Sequence, residues 1–141
     1  MNSALSDDEK IAVFRKIQKA WETKDWRTVA DSMTEDGMLH SMAWDPVVGR
    51  ENFYERMTRL TKASKTVRFE IERLGVIDGA VVVERCDVVT IDGVSRSIPV
   101  VGILEFDGSL ISRWREYFDS VLFLRAQGQN VETQKFTRHA D

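Results

Sequence analysis

Three Asp-Gly dipeptides, Asp78-Gly79, Asp92-Gly93 and Asp107-Gly108, punctuate the second half of this chain, and between them hydrophobic residues recur with period two. An Asp-Gly pair accepts the positive backbone φ angles of a two-residue hairpin, and an alternating run on either side of it reads as a half-buried strand. Val67, Phe69 and Ile71 alternate with Arg68, Glu70 and Glu72. Val81, Val83, Arg85, Asp87, Val89 and Ile91 share one face of the next strand. A return strand runs from Val94 to Phe106. A last strand, Ser109 to Phe118, is expected to place Leu110, Ser112, Trp114, Glu116 and Phe118 on one face. Long strands joined by tight turns form a strongly twisted antiparallel meander.

The first part of the chain has helical spacing. Ser6 and Glu9 make a Ser-x-x-Glu capping box ahead of Ile11, Phe14, Ile17 and Trp21. Asp25 is placed to cap a second helix whose buried stripe is Trp26, Val29, Ala30 and Met33. Glu35-Asp36-Gly37 is expected to end it, with a short strand over Met38 to Met42. Asp45-Pro46 and Gly49 mark a loop, and a third helix over Arg50 to Thr61 presents Phe53, Met57 and Leu60. Helices first and strands afterwards predict an α+β fold, with three N-terminal helices packed on one side of a curved, mixed or antiparallel sheet. Such a sheet closes into a cone with a cavity suited to a ligand. Residues 1–126 are expected to form this one domain, including a short apolar helix or extension over Ser120 to Ala126, and residues 127–141 a polar, mobile tail.

Composition removes several classes of function. With 141 residues and a net charge of −3, the chain lacks the basic excess of a nucleic-acid binder. A single cysteine, Cys86, forbids an internal disulfide, and two histidines leave little for a metal cluster. The polar, acidic N-terminus is no secretory signal and the apolar runs are too short to span a bilayer, so a cytoplasmic protein with no membrane association is expected. Nothing calls for a metal or an organic cofactor.

Three charges interrupt the apolar faces. Arg85 and Asp87 lie on the face of Val81, Val83, Val89 and Ile91, and Glu116 lies beside Trp114. Buried charges must pair. The pattern alone fits a structural or rim ion pair, or a register that puts Glu116 at an edge. Taken together, one guanidinium between two carboxylates can hold them close, and two carboxyl groups tuned apart supply a general acid and a general base.

The segments Val83-Glu84-Arg85-Cys86-Asp87-Val88 and Trp114-Arg115-Glu116-Tyr117-Phe118-Asp119 resemble limonene-1,2-epoxide hydrolase, as do Glu35-Asp36-Gly37-Met38 and Gly49-Arg50. That family belongs to the SnoaL-like, nuclear-transport-factor-like superfamily of cone-shaped α+β folds. The resemblance implies an epoxide opened in one step without a covalent intermediate. Asp87 would protonate the epoxide oxygen, Glu116 would deprotonate the attacking water, and Arg85 would bridge them. Two departures stand out. The family has aspartate at the position of Glu116, and on the first strand it has a tyrosine and an asparagine that orient the water, where this chain has Leu39 and Ser41.

The cavity walls expected around these groups are Phe53, Met57, Leu60, Val83, Val89, Leu104 and Trp114, with Leu39 and Ser41 at the water position. They suit a small hydrophobic substrate. Trp44 is placed either to line the cavity mouth or to cover the core. His40 is expected to face away from Leu39 and Ser41, and Cys86 to be a packed residue rather than a nucleophile. Arg113, Arg115 and Tyr117 share the outer face of the last strand, and the resemblance implies a homodimer through that face. Two other readings remain open at this point. One is an isomerase, cyclase or dehydratase using the same acid–base pocket, and the other is a binder of an apolar metabolite in which the three charges are structural.

Overall fold

A computed structural model describes residues 4–130. Helix α1 (Asp7–Glu22) starts at the capping box, where the Glu9 amide donates to Ser6 Oγ and the Ser6 amide donates to Glu9 Oε1. The next helix, α2 (Trp26–Asp31), is capped by Asp25, which accepts from the amide and the hydroxyl of Thr28. Strand β1 (Met33–Ser41) and the two-residue strand β2 (Val47–Val48) lead into α3 (Arg50–Leu60). The meander follows as β3 (Lys65–Ile77), β4 (Ala80–Ile91), β5 (Val94–Asp107) and β6 (Leu110–Phe118), and α4 (Ser120–Ala126) closes the described chain.

The strands form one sheet in the order β2-β1-β6-β5-β4-β3. All neighbours are antiparallel except β1 and β6, so the sheet is mixed. Asp78 and Gly79 have φ of 49° and 80°, and Asp92 and Gly93 have 51° and 79°, as tight hairpins between twisted strands require. Helices α1 to α3 pack on the inner face, where Phe14, Ile17 and Phe53 meet Phe69, Leu104 and Trp114. A smaller cluster of Val89, Ile98 and Val100 lies under Ala126 of α4.

Two local features differ from the sequence expectation. Glu35-Asp36-Gly37 does not end a helix; it lies within β1, which begins at Met33 rather than Met38. Met33 pairs with Ile111 and Met38 with Arg113, so the intervening polar residues of β1 are absorbed as an irregularity in the ladder. Gly37 permits this, because a Cβ there would lie 3.0 Å from the Thr34 carbonyl oxygen and 3.1 Å from that of Ile111. The second difference is on β6. A register shift between Glu105 and Phe106 pairs Phe106 with Ile111 and Glu105 with Arg113. The bulge turns fully buried Ile111 into the core, and Leu110 and Ser112 are only partly buried, so strict alternation through Trp114 fails there.

The expected tail is tied down at its start. Gln127 caps α4 and its Oε1 accepts from Lys65 Nζ, while the amides of Gly128 and Gln129 donate to α4 carbonyls. The rest of that expectation falls on residues 131–141, outside the described residues. Among the described residues no helix is long and apolar enough to cross a membrane.

The bulge makes a sharp prediction about stability. Ile111→Ala should cost about 2–5 kcal/mol, as for a buried aliphatic truncation, and Ser112→Ala less than about 1 kcal/mol. Urea denaturation of both variants checks this, and the reverse order would restore regular alternation.

Candidate active site

Arg85 and Asp87 project from β4 into the inner face because they share the parity of buried Val81, Val83 and Val89. Glu116 projects from β6. Between them runs β5, with Val83 of β4 and Glu116 of β6 both in register with Gly102. Alternate strands lie about 9–10 Å apart, so the Arg85 side chain must cross β5 to meet Glu116. It does so over the one inward position of β5 that lacks a side chain. A Cβ on Gly102 would lie 2.6 Å from Glu116 Oε2 and 2.9 Å from Arg85 Nη1. Sequence reading singled out the three charges and missed this glycine, whose signal was a lone Gly inside an apolar strand.

The guanidinium clasps both acids. Arg85 Nε and Nη2 donate to Asp87 Oδ1 and Oδ2 at 2.7 and 3.2 Å. Nη1 and Nη2 donate to Glu116 Oε2 and Oε1 at 3.0 and 2.6 Å. The Phe69 ring lies 4.4 Å from Arg85 Cζ, adding a cation–π contact. Side-chain exposure is 3% for Arg85, 9% for Glu116 and 15% for Asp87. Burial works against the Arg85 charge, but the two carboxylates outweigh it and hold the guanidinium above its ordinary range, so it is a permanent cation. Burial raises the Asp87 pKa, the Arg85 charge and hydrogen bonds pull it back only in part, and the Glu116 charge raises it further. One cation faces two acids, and the net effect on Asp87 is a raised proton affinity.

Asp87 also faces the cavity. A space of about 580 Å³ opens between the sheet and α3, with Asp87, Leu39, Ser41, Phe53, Met57 and Leu60 on its wall. Ser41 is in register with Glu116 on the parallel neighbour strand, and the Met42 amide donates to the Glu116 carbonyl, fixing the two side by side. Leu39 is buried and Leu60 is 55% exposed, so Leu60 forms part of the rim. Three expected wall residues are placed elsewhere. Val83, Leu104 and Trp114 are fully buried in the core, screened from the cavity by other side chains. The Trp114 indole Nε1–H is buried without a hydrogen-bond partner. Val89 does line the cavity, as does Trp44, whose ring packs against Phe123 at 5.6 Å.

The wall also holds residues the sequence reading assigned to the core or left unassigned: Trp21, Trp26 and Lys65 among them. Trp21 and Trp26 meet edge to face at 4.9 Å, so each is both core and wall. Helical periodicity reports which face is buried but not whether it is buried against protein or against a cavity. His40 Nε2 lies 3.0 Å from the Trp44 carbonyl oxygen and takes no part in the charged cluster. Cys86 lies on the opposite face of β4, half-buried. Among the described residues no three His, Cys, Asp or Glu side chains gather to hold a metal ion.

Two measurements test this geometry. Gly102→Ala should force the Arg85–Glu116 pair apart and cost about 1–3 kcal/mol, as overpacking does. Adding the shorter side chain, Glu116→Asp, to the same chain should recover part of that loss in urea denaturation. The raised Asp87 pKa has a pH consequence. The folded chain holds this proton more tightly than the unfolded chain, so stability falls as pH rises from the ordinary carboxylate range through the raised value. The Tm of Asp87→Asn relative to the unsubstituted chain should therefore climb across that window and then level off. A difference that is flat with pH would mean that Asp87 is ionised throughout.

The same architecture is found in known proteins. The sequence pattern of the limonene-1,2-epoxide hydrolase catalytic domain matches residues 8–128. Epoxide hydrolase EphG of Mycobacterium tuberculosis (strain ATCC 25618 / H37Rv) is 28% identical over 102 residues, which span 71% of this chain and just under two thirds, 66%, of that protein. The structure of an M. tuberculosis epoxide hydrolase of the same type superposes with a TM-score of 0.74 at 24% identity, covering 86% of this chain and 94% of the other. A candidate SnoaL-like polyketide cyclase from Shewanella denitrificans OS-217 superposes equally well, with a TM-score of 0.74 at 17% identity over 85% of this chain and 98% of the other. The shared shape gives an NTF2/SnoaL-like fold, and the match over nearly the whole described chain gives the lineage: this protein belongs to the limonene-1,2-epoxide hydrolase family.

Proposed function

We propose that this chain opens a small hydrophobic epoxide by one-step general acid–base addition of water. The observation that carries the reading is the Arg85 clamp, which holds Glu116 close to Asp87, itself on the wall of a largely apolar cavity. In this reaction a water oxygen bonds to one epoxide carbon as that carbon's bond to the ring oxygen breaks. Glu116 takes the proton of the water, and Asp87 gives its proton to the departing oxygen. The product is a diol, and the proton on Glu116 returns to Asp87 before the next turnover. The raised proton affinity of Asp87 and its place on the cavity wall suit the acid. Glu116 is buried behind the cavity wall, in register with Ser41, which is on that wall; each of its oxygens accepts from Arg85 and has a second lone pair, so as the base it would take the proton of a water held beside Ser41.

A second reading draws on Leu39. Where the family has a tyrosine, this chain has a buried aliphatic side chain that cannot hold a water. A poorer water site favours proton transfer within the substrate, as in an isomerase, cyclase or dehydratase.

The expected outcome is that Glu116→Gln lowers diol formation by at least about a hundredfold, the lower end of what a positioned acid or base contributes, while circular dichroism shows the fold retained at the assay temperature. Asp87→Asn should do the same. Turnover in ¹⁸O-labelled water separates the two readings, since hydrolysis alone puts the label into the product.

A further inference from the structure

The mouth of the cavity carries a charge that a neutral epoxide does not use. Lys24, Lys62 and Lys65 all line it, and Arg56 stands on the adjoining wall. The chain as a whole has more acids than bases, yet among the described residues the cavity lining contains only two carboxylates. One of them, Asp87, is committed to Arg85, which leaves Asp45. Among the described residues none of the four cations forms an ion pair; the salt bridges lie elsewhere.

The three lysines share one stretch of the wall, where Lys24 reaches the backbone between the other two. Lys24 Nζ donates to the carbonyls of Lys62 and Ala63, both at 3.2 Å, and Lys65 donates to Gln127. Each keeps at least one N–H to give, because an ammonium has three. Burial, and then the charges of Lys62 and Lys24, push the Lys65 pKa down. Like charges gathered at a half-buried site repel one another, and an anion among them would remove that repulsion. Solvated surface lysines would not need a backbone-anchored Lys24 or a sequestered Lys65.

We propose that Lys24, Lys62 and Lys65 form a carboxylate-binding subsite, and that the ligand is an amphipath with its apolar body in the cavity and its anionic head at this mouth. For the reaction, this rests on the epoxide-opening reading and names its substrate class as an epoxide on an aliphatic chain ending in a carboxylate. For binding, it stands without that reading.

The test uses dodecanoate and dodecanol as matched probes, read by quenching of the tryptophans that line the cavity. At low salt dodecanoate should bind about tenfold more tightly than dodecanol, and the ratio should fall towards one at high salt as screening removes the attraction. It should also fall in Lys62→Gln, an exposed position, and in Lys65→Met. Equal binding of the two probes, or a preference that neither variant changes, overturns the subsite. Epoxydodecanoate and its methyl ester then separate the two proposals. Preferred binding of the carboxylate with turnover of neither epoxide would remove the hydrolase reading and keep the subsite. Equal turnover of acid and ester, with equal binding, would remove the subsite and keep the hydrolase.

Discussion

One guanidinium shared by two carboxylates governs the centre of this molecule. Arg85 is nearly inaccessible and always charged, so the interior can hold it only if its donors are satisfied. Asp87 and Glu116 satisfy them with four hydrogen bonds, and in doing so each acid is fixed relative to the other. Burial raises the proton affinity of Asp87, the acid on the cavity wall. The contacts that make the charges tolerable in an apolar interior also fix which acid meets the cavity.

Much of this could be read from the chain before its structure. The Asp-Gly turns and period-two runs located β3 to β6, and the Ser6 and Asp25 caps located α1 and α2, because these signals are local. Arg85, Asp87 and Glu116 stood out because charged residues on an apolar face are rare. The features that escaped depend on pairing between distant segments. Nothing near Glu35-Asp36-Gly37 announces that β1 will pair in parallel with a strand formed at the far end of the described chain. The bulge at Ser112 is set by its register against Glu105 and Phe106. Gly102 reads as an ordinary glycine until Arg85 and Glu116 are known to meet above it. Val83, Leu104 and Trp114 have the composition of a cavity wall, and only the packing of neighbouring side chains puts them behind it.

The departures from the family pattern fall around the proposed water position rather than the proposed acid. Arg85 and Asp87 follow the pattern, whereas Glu116, Leu39 and Ser41 do not. Glu116 is one methylene longer than the family's aspartate, and Ser41, in register beside it, is shorter than asparagine. A longer carboxylate side chain and a shorter partner would shift where a water can sit without removing the pair proposed to hold it. Leu39 makes that part of the cavity more apolar, consistent with a ligand whose aliphatic part is larger than its polar part.

The reach of Arg85 across β5 has a mechanical side. Its side chain links β4 to β6 above an intervening strand, so three neighbouring strands are stapled by contacts that lie outside the backbone ladder. Separating any two of them exposes a charge to a medium that cannot solvate it. The sheet is therefore expected to open from its margins inward, with β2 and the outer edge of β3 fraying first and the middle amides exchanging only when the whole molecule unfolds.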